Sequence, residues 1–173
     1  MVFGMSLPTY TAVHVAVSLV GIGSGLVALF GLLKGIYFKG WTGLFLATTV
    51  ATSVTGFGFP VAHFLPSHGV GILSLLALAV AIAALYKFQL RGGWRRTYVI
   101  CAVVALYFNC FVLVVQSFEK VPALQALAPT QTEPPFAIAQ LSVLALFVFA
   151  GIRAARRFRG EAPPKVMSTY SGR

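Results

Sequence analysis

Charge is scarce in this chain. Of 173 residues only 9% are charged, where soluble domains carry about 25%, and just three are acidic. The sixteen charges also leave long gaps: none before Lys34, none between Gly40 and Tyr86, none between Thr97 and Phe118, none between Pro134 and Ile152. A bilayer core of about 30 Å takes roughly 20 apolar residues per helix, so the gaps hold one, two, one and one spans. The expected architecture is all-α: an integral membrane bundle of five transmembrane helices.

Other absences narrow the function classes. The two cysteines, Cys101 and Cys110, stand nine residues apart in one span. They lie near opposite faces of a straight helix and cannot bond to each other, and there is no CxxC or Cys/His ligand spacing. Small packing residues are the better reading. A GxSxG elbow is missing, and the glycines at 21, 23 and 25 lie inside a span with no preceding strand, which discards a dinucleotide loop. The start, MVFGMSLPTY, lacks the positive n-region of a cleaved signal peptide, so the first span is expected to stay in the mature protein. The two halves of the chain show no internal similarity, which leaves an inverted-repeat transporter unsupported.

The basic residues that remain are sorted by side. Lys34 and Lys39 follow the first span; Lys87, Arg91, Arg95 and Arg96 lie between the third and fourth; Arg153, Arg156, Arg157, Arg159, Lys165 and Arg173 follow the fifth. Only Lys120 falls on the opposite side. Cytoplasmic retention of Lys and Arg then puts the N-terminus outside and the C-terminus inside. The excess of positive charge, +10 overall, therefore records topology. It implies anionic lipids at the cytoplasmic face as partner and no nucleic acid.

The spans are expected at about 10–33, 41–60, 67–87, 96–118 and 134–153 in a single transmembrane domain covering 1–160, with a proline-rich, disordered cytoplasmic tail over 161–173. In the first, Gly21 and Gly25, like Gly31 and Gly35, share a face that admits a close neighbour, read as packing within the chain. The second carries Thr48, Thr52 and Thr55 on one stripe and Thr49, Ser53 and Gly56 on the next, a face for the bundle interior. It should end near Gly58 and Pro60. Ser67 can cap the third span. Gly92 and Gly93 make the turn into the fourth, where Asn109 and Gln116 share a stripe that must find partners. The outer segment VPALQALA can form a short interfacial helix, and Thr132 or Glu133 can cap the fifth span ahead of Pro134 and Pro135.

Placed by depth, His14, His63, His68, Asn109, Gln116, Glu119, Glu133 and Gln140 belong to the outer half, with His14 about 9 Å below Pro8. Convergence would build a polar pocket opening outward, and its candidate ligand-binding residues are His14, Thr52, Asn109, Gln116, Gln140 and Glu133. His14, His63 and His68 are candidate metal ligands. Imidazoles suit a transition metal, and His14 with His68 could hold haem. No pair has i, i+3 or i, i+4 spacing. Ser67 beside His68 is no evidence of a triad.

The stretches TGFGFP, ALYFNCFVLVVQ and LAPTQTEPPF resemble small multi-helix proteins of bacterial inner membranes, to which no activity is attached. The resemblance implies a multi-pass protein of the bacterial inner (cytoplasmic) membrane. The leading expectation is a non-catalytic protein whose outer pocket binds a small molecule, lipid or ion. Alternatives are a redox protein using the histidines, and a structural or accessory subunit, as a homo-oligomer or in a larger membrane complex.

Overall fold

In the computed structural model, which describes residues 4–60 and 66–159, six α-helices follow one another. They are α1 (Leu7–Lys34), α2 (Lys39–Gly56), α3 (Pro66–Ile82), α4 (Trp94–Lys120), α5 (Pro122–Leu127) and α6 (Pro134–Arg157). A single π-helical turn, Ala83–Lys87, extends α3. The described residues contain no β-strand.

Local chemistry accounts for the helix ends. The Ser6 hydroxyl accepts the Thr9 amide at 3.3 Å and Pro8 sits in the first turn of α1, where its missing N–H costs nothing. The same helix ends at Gly35, whose φ of 78° is left-handed, while the next amide, Ile36, reaches the Gly31 carbonyl at 2.8 Å. This is the Schellman arrangement. Glu133 stands at the N-cap of α6 with Pro134 and Pro135 behind it. Two expectations shift: α3 begins at Pro66, which places Ser67 inside the helix, and α2 ends at Gly56, ahead of Gly58 and Pro60. The expected tail over 161–173 lies outside the described residues.

Cross-helix contacts fix the order. Tyr10 meets Thr55 and a Cβ on Gly25 would meet Phe45, so α2 runs antiparallel along most of α1. Ser53 bonds Ser74. Val103 faces Gly151, and Phe118 packs edge-on against Phe136 at 5.4 Å between ring centroids, so α6 runs back along α4. Each long helix touches the next, and α6 closes onto α1, with α4 also reaching α1 and α2. The result is a ring of five long helices.

Burial along the ring is uneven. Leu29, Leu32, Phe45, Leu46, Leu78, Leu85, Tyr98, Val99, Leu106, Phe147 and Phe158 form one buried apolar cluster, all toward the end that carries the basic residues. Toward the other end the buried side chains include Thr49, Ser53 and Ser74. The outer surface is apolar: on α6, Ile138, Leu141, Leu146 and Phe149 are more than 60% exposed. Such a continuous apolar face is unstable against water and natural against lipid. Four helices are long and apolar enough to cross a membrane: α1, α3 with its π turn (Ser67–Lys87), α4 and α6. The remaining long helix, α2, has 18 residues, many of them hydroxyl-bearing or glycine.

The glycines of α1 give a direct test. A Cβ at Gly31 would lie 2.9 Å from the Ile36 carbonyl oxygen and 2.8 Å from the Phe38 ring, whereas Gly23 has nothing within 4 Å. The carbonyl belongs to backbone and cannot rotate aside. Gly31→Ala is expected to destabilise the protein by about 1–3 kcal/mol, and Gly23→Ala to be neutral or to stabilise it by up to about 1 kcal/mol, in thermal or detergent unfolding. Equal effects would mean that the turn between α1 and α2 is not packed this way.

Candidate functional site

The polar groups gather where α1, α2 and α4 meet. His14 lies seven residues into α1, about 10 Å along its axis, and is half-buried. Its Nδ1 is 2.8 Å from Thr55 Oγ1. That hydroxyl donates its only proton to the Ala51 carbonyl at 2.7 Å, so towards the imidazole it accepts. The proton of neutral His14 therefore sits on Nδ1, and Nε2 carries the lone pair. Tyr10, buried at 3% exposure, donates its hydroxyl to the Thr55 carbonyl at 2.6 Å. The Phe59 ring stands edge-on to both, 5.1 Å from Tyr10 and 5.2 Å from His14 between centroids.

The seam continues up the hydroxyl stripe of α2. Thr52, one turn from Thr55, has a buried Oγ1 without a hydrogen-bond partner. Thr48 and Thr55 return their protons to carbonyls four residues back, the usual solution for a helical threonine. An unpartnered buried hydroxyl costs about 1–3 kcal/mol. One turn further, Asn109 Nδ2 of α4 donates to Thr49 Oγ1 at 3.3 Å. Gly21 of α1 lets the helices close there: a Cβ on it would stand 3.2 Å from Thr48 Oγ1 and 3.6 Å from Asn109 Nδ2. On the far side of α2 the Ser53 and Ser74 hydroxyls bond at 3.1 Å.

His14, Thr52 and Asn109 thus share one seam. The structure places the other expected ligand-binding residues elsewhere. Gln140 of α6 donates Nε2 to the Phe111 carbonyl of α4 at 3.2 Å, and its Oε1 is buried without a partner. Gln116 is exposed, bonded to Glu119 at 3.1 Å. Glu133 closes its own loop: its carboxylate accepts from Thr130 Oγ1 at 2.9 Å, the Thr130 amide at 3.2 Å and the Thr132 amide at 3.1 Å. His68 stacks on Phe57, 5.5 Å between centroids, and His63 lies outside the described residues. Among those residues no three His, Cys, Asp or Glu come together as a metal site would need. Cys101 and Cys110 are free and half-buried on α4. Tyr10 and Phe59 are members of the seam that the sequence alone did not single out. The signal for Tyr10 was a hydroxyl-bearing aromatic at the head of an apolar run.

A second concentration lies at the basic end. A cavity of about 780 Å³ is lined by Lys34 of α1, by Phe149, Ile152, Arg153, Arg156 and Arg157 of α6, and by Arg159 just beyond it.

Comparison with protein-family models, with curated proteins and with solved structures gives no match.

Glu133 supplies a pH prediction. Desolvation acts to raise its pKa, but the hydrogen bonds from its own backbone, from Thr130 and from Thr132 outweigh it and hold the carboxyl below the ordinary value of 4.5. A group depressed in the folded state contributes above its unfolded pKa and loses that contribution as pH falls through the folded one. Protection of the Thr130 and Thr132 amides against hydrogen exchange should accordingly hold at neutral pH and drop on acidification below about 4.5. In Glu133→Gln the drop should be absent. A wild-type protection factor flat down to pH 3 would remove the carboxylate from this role.

Proposed function

We propose that this chain is a five-span protein of the bacterial cytoplasmic membrane, N-terminus outside, that binds a small polar molecule in the outer half of the bundle between α1, α2 and α4. The reading is of a binding protein without catalytic machinery. The observation that carries it is the pairing of a half-buried imidazole that bonds Thr55 through Nδ1 with a buried, unpartnered Thr52 hydroxyl one turn along α2 from Thr55. Nε2 of His14 offers an acceptor and Thr52 a donor. A small molecule with one group of each kind answers both, and Tyr10 and Phe59 supply apolar walls. Thr48 and Thr55 commit their own protons to carbonyls of α2, so Thr52 is the hydroxyl of this stripe left to meet a ligand.

The length and course of α2 support five spans rather than four. Its 18 residues rise about 27 Å, close to the hydrocarbon thickness, and it lies antiparallel along α1. A helix carrying that many hydroxyls can cross when each bonds its own backbone or a neighbour. An odd number of crossings puts the termini on opposite sides, and the basic residues put the C-terminal side inside.

Two measurements test this. Reporters fused before Leu7 and after Arg159 should read periplasmic and cytoplasmic; the same side for both would return the count to four. Native mass spectrometry of protein released from its own membrane should find a small non-protein mass on the wild type that His14→Ala and Thr52→Val each reduce at least about tenfold, one lost hydrogen bond to a desolvated group apiece. Wild-type protein free of any such mass, or a mass indifferent to both substitutions, would overturn the reading. A Soret absorption lost in His14→Ala would also overturn it, in favour of haem.

A further inference from the structure

The cavity at the basic end joins a cationic rim to apolar side chains. Its rim holds Lys34, Arg153, Arg156, Arg157 and Arg159, and the described residues bring no carboxylate to it. Arg153, Arg156 and Arg157 are three and four apart on one helix, an arrangement in which like charges repel unless an anion lies between them. Guanidinium groups grip phosphate oxygens in pairs.

The floor differs from the rim. Phe149 and Ile152, up to one turn deeper on α6, are 64% and 50% exposed. On α1 the side chain one turn below Lys34 is Phe30, 56% exposed, with the Lys34 ammonium 5.3 Å from its ring centre. Both walls therefore pass from cationic to apolar in the direction that leads into the bilayer. Gly35 brings the walls together: a Cβ there would stand 3.4 Å from the Arg157 carbonyl oxygen. A free phosphate ion would use the rim and leave the floor idle.

We propose that this groove between the C-terminal turns of α1 and α6 is a binding site for an anionic glycerophospholipid with two phosphate groups, its phosphates on the rim and its acyl chains over Phe30, Phe149 and Ile152. Five cations around one cavity of about 780 Å³ outnumber what a single phosphodiester neutralises. Basic pockets between membrane helices on the cytoplasmic side have this chemistry in general. The site is at the opposite end of the bundle from the His14 seam, and its test does not involve that seam.

The test is native mass spectrometry of the full chain titrated with diphosphatidylglycerol, phosphatidylglycerol, phosphatidylcholine and soluble glycerol phosphate. Diphosphatidylglycerol should bind most tightly. Arg153→Gln with Arg156→Gln should weaken it about 10- to 30-fold, while Lys39→Gln with Arg91→Gln, which removes equal charge from the same end outside the groove, should change it less than about threefold. Unfolding temperatures in lipid-free detergent check that both variants fold. If the arginine pair is unstable, Lys34→Gln alone should weaken binding about threefold to tenfold. Equal weakening by both pairs, equal binding of phosphatidylcholine, or competition by soluble glycerol phosphate at concentrations matching the lipid would each overturn the site.

Discussion

The close approach of α1 to α2 is the constraint on which the rest of this bundle depends. It is possible because α1 presents Gly21, Gly25 and Gly31 to its neighbours; at Gly25 a Cβ would stand 2.6 Å from Leu106 Cδ1 and 2.7 Å from the Phe45 ring. In hydrocarbon there is no hydrophobic drive to hold helices together, so contact area and hydrogen bonds must do it. With backbones this near, short hydroxyl side chains can span the gap that remains. Thr48, Thr49 and Thr55 occupy it, and each satisfies itself on a carbonyl, an imidazole or an amide. Bulk on that face of α1 would push α2 away and break the His14–Thr55 bond that crosses the gap. The polar seam exists only because of the missing side chains opposite it.

The ring then divides along its length. Toward the basic end, Leu and Phe side chains from α1, α2, α3, α4 and α6 interlock, with Phe158 closing the cluster from beyond the last turn of α6. Interiors of that kind are rigid. Toward the other end α2 stops at Gly56 and α3 starts at Pro66, and the buried side chains there include hydroxyl-bearing ones. The two halves differ in chemistry: interlocked apolar side chains at one end, and at the other hydrogen-bond donors and acceptors.

Much of this was legible in the residues. Gaps between charges gave the long helices to within a few residues, because lipid tolerates charge only near helix ends. The short α5 was visible in VPALQALA, and the four-residue spacing of Gly21 and Gly25 located the packed face of α1. The candidate site was legible only in part. Asn109, Gln116 and Gln140 have the same chemistry in a linear reading, yet they turn to α2, to the surface and to α4 respectively. Which neighbour a stripe faces depends on how the ring closes, and no periodicity carries that. The turn after α3 was legible in part, at Gly92, whose φ is 54°. Gly92 and Gly93 suggested it, but Gln89 and Leu90 also take left-handed φ values of 50° and 57°, a conformation with no signature in non-glycine residues. The π turn before them, Ala83–Lys87, has none either.

The basic end poses an electrostatic question that the fold itself answers in part. Ten cations, from Lys34 to Arg159, crowd one end of a bundle whose described acids, Glu119 and Glu133, both lie at the other. Helix termini offset some of this repulsion. Lys34 lies in the last turn of α1, and Arg156 and Arg157 in that of α6, where the partial negative charge of exposed carbonyls favours a cation. Arg95 reaches across from α4 to donate to the Arg159 carbonyl, which spends one guanidinium on backbone. Those contacts are local and worth about 0.3–1 kcal/mol each; they hold the cations without neutralising them. A carboxylate in their place would have quenched the charge. The arrangement therefore leaves an uncompensated positive field at this end of the bundle, the property on which both the proposed orientation and the proposed lipid site rest.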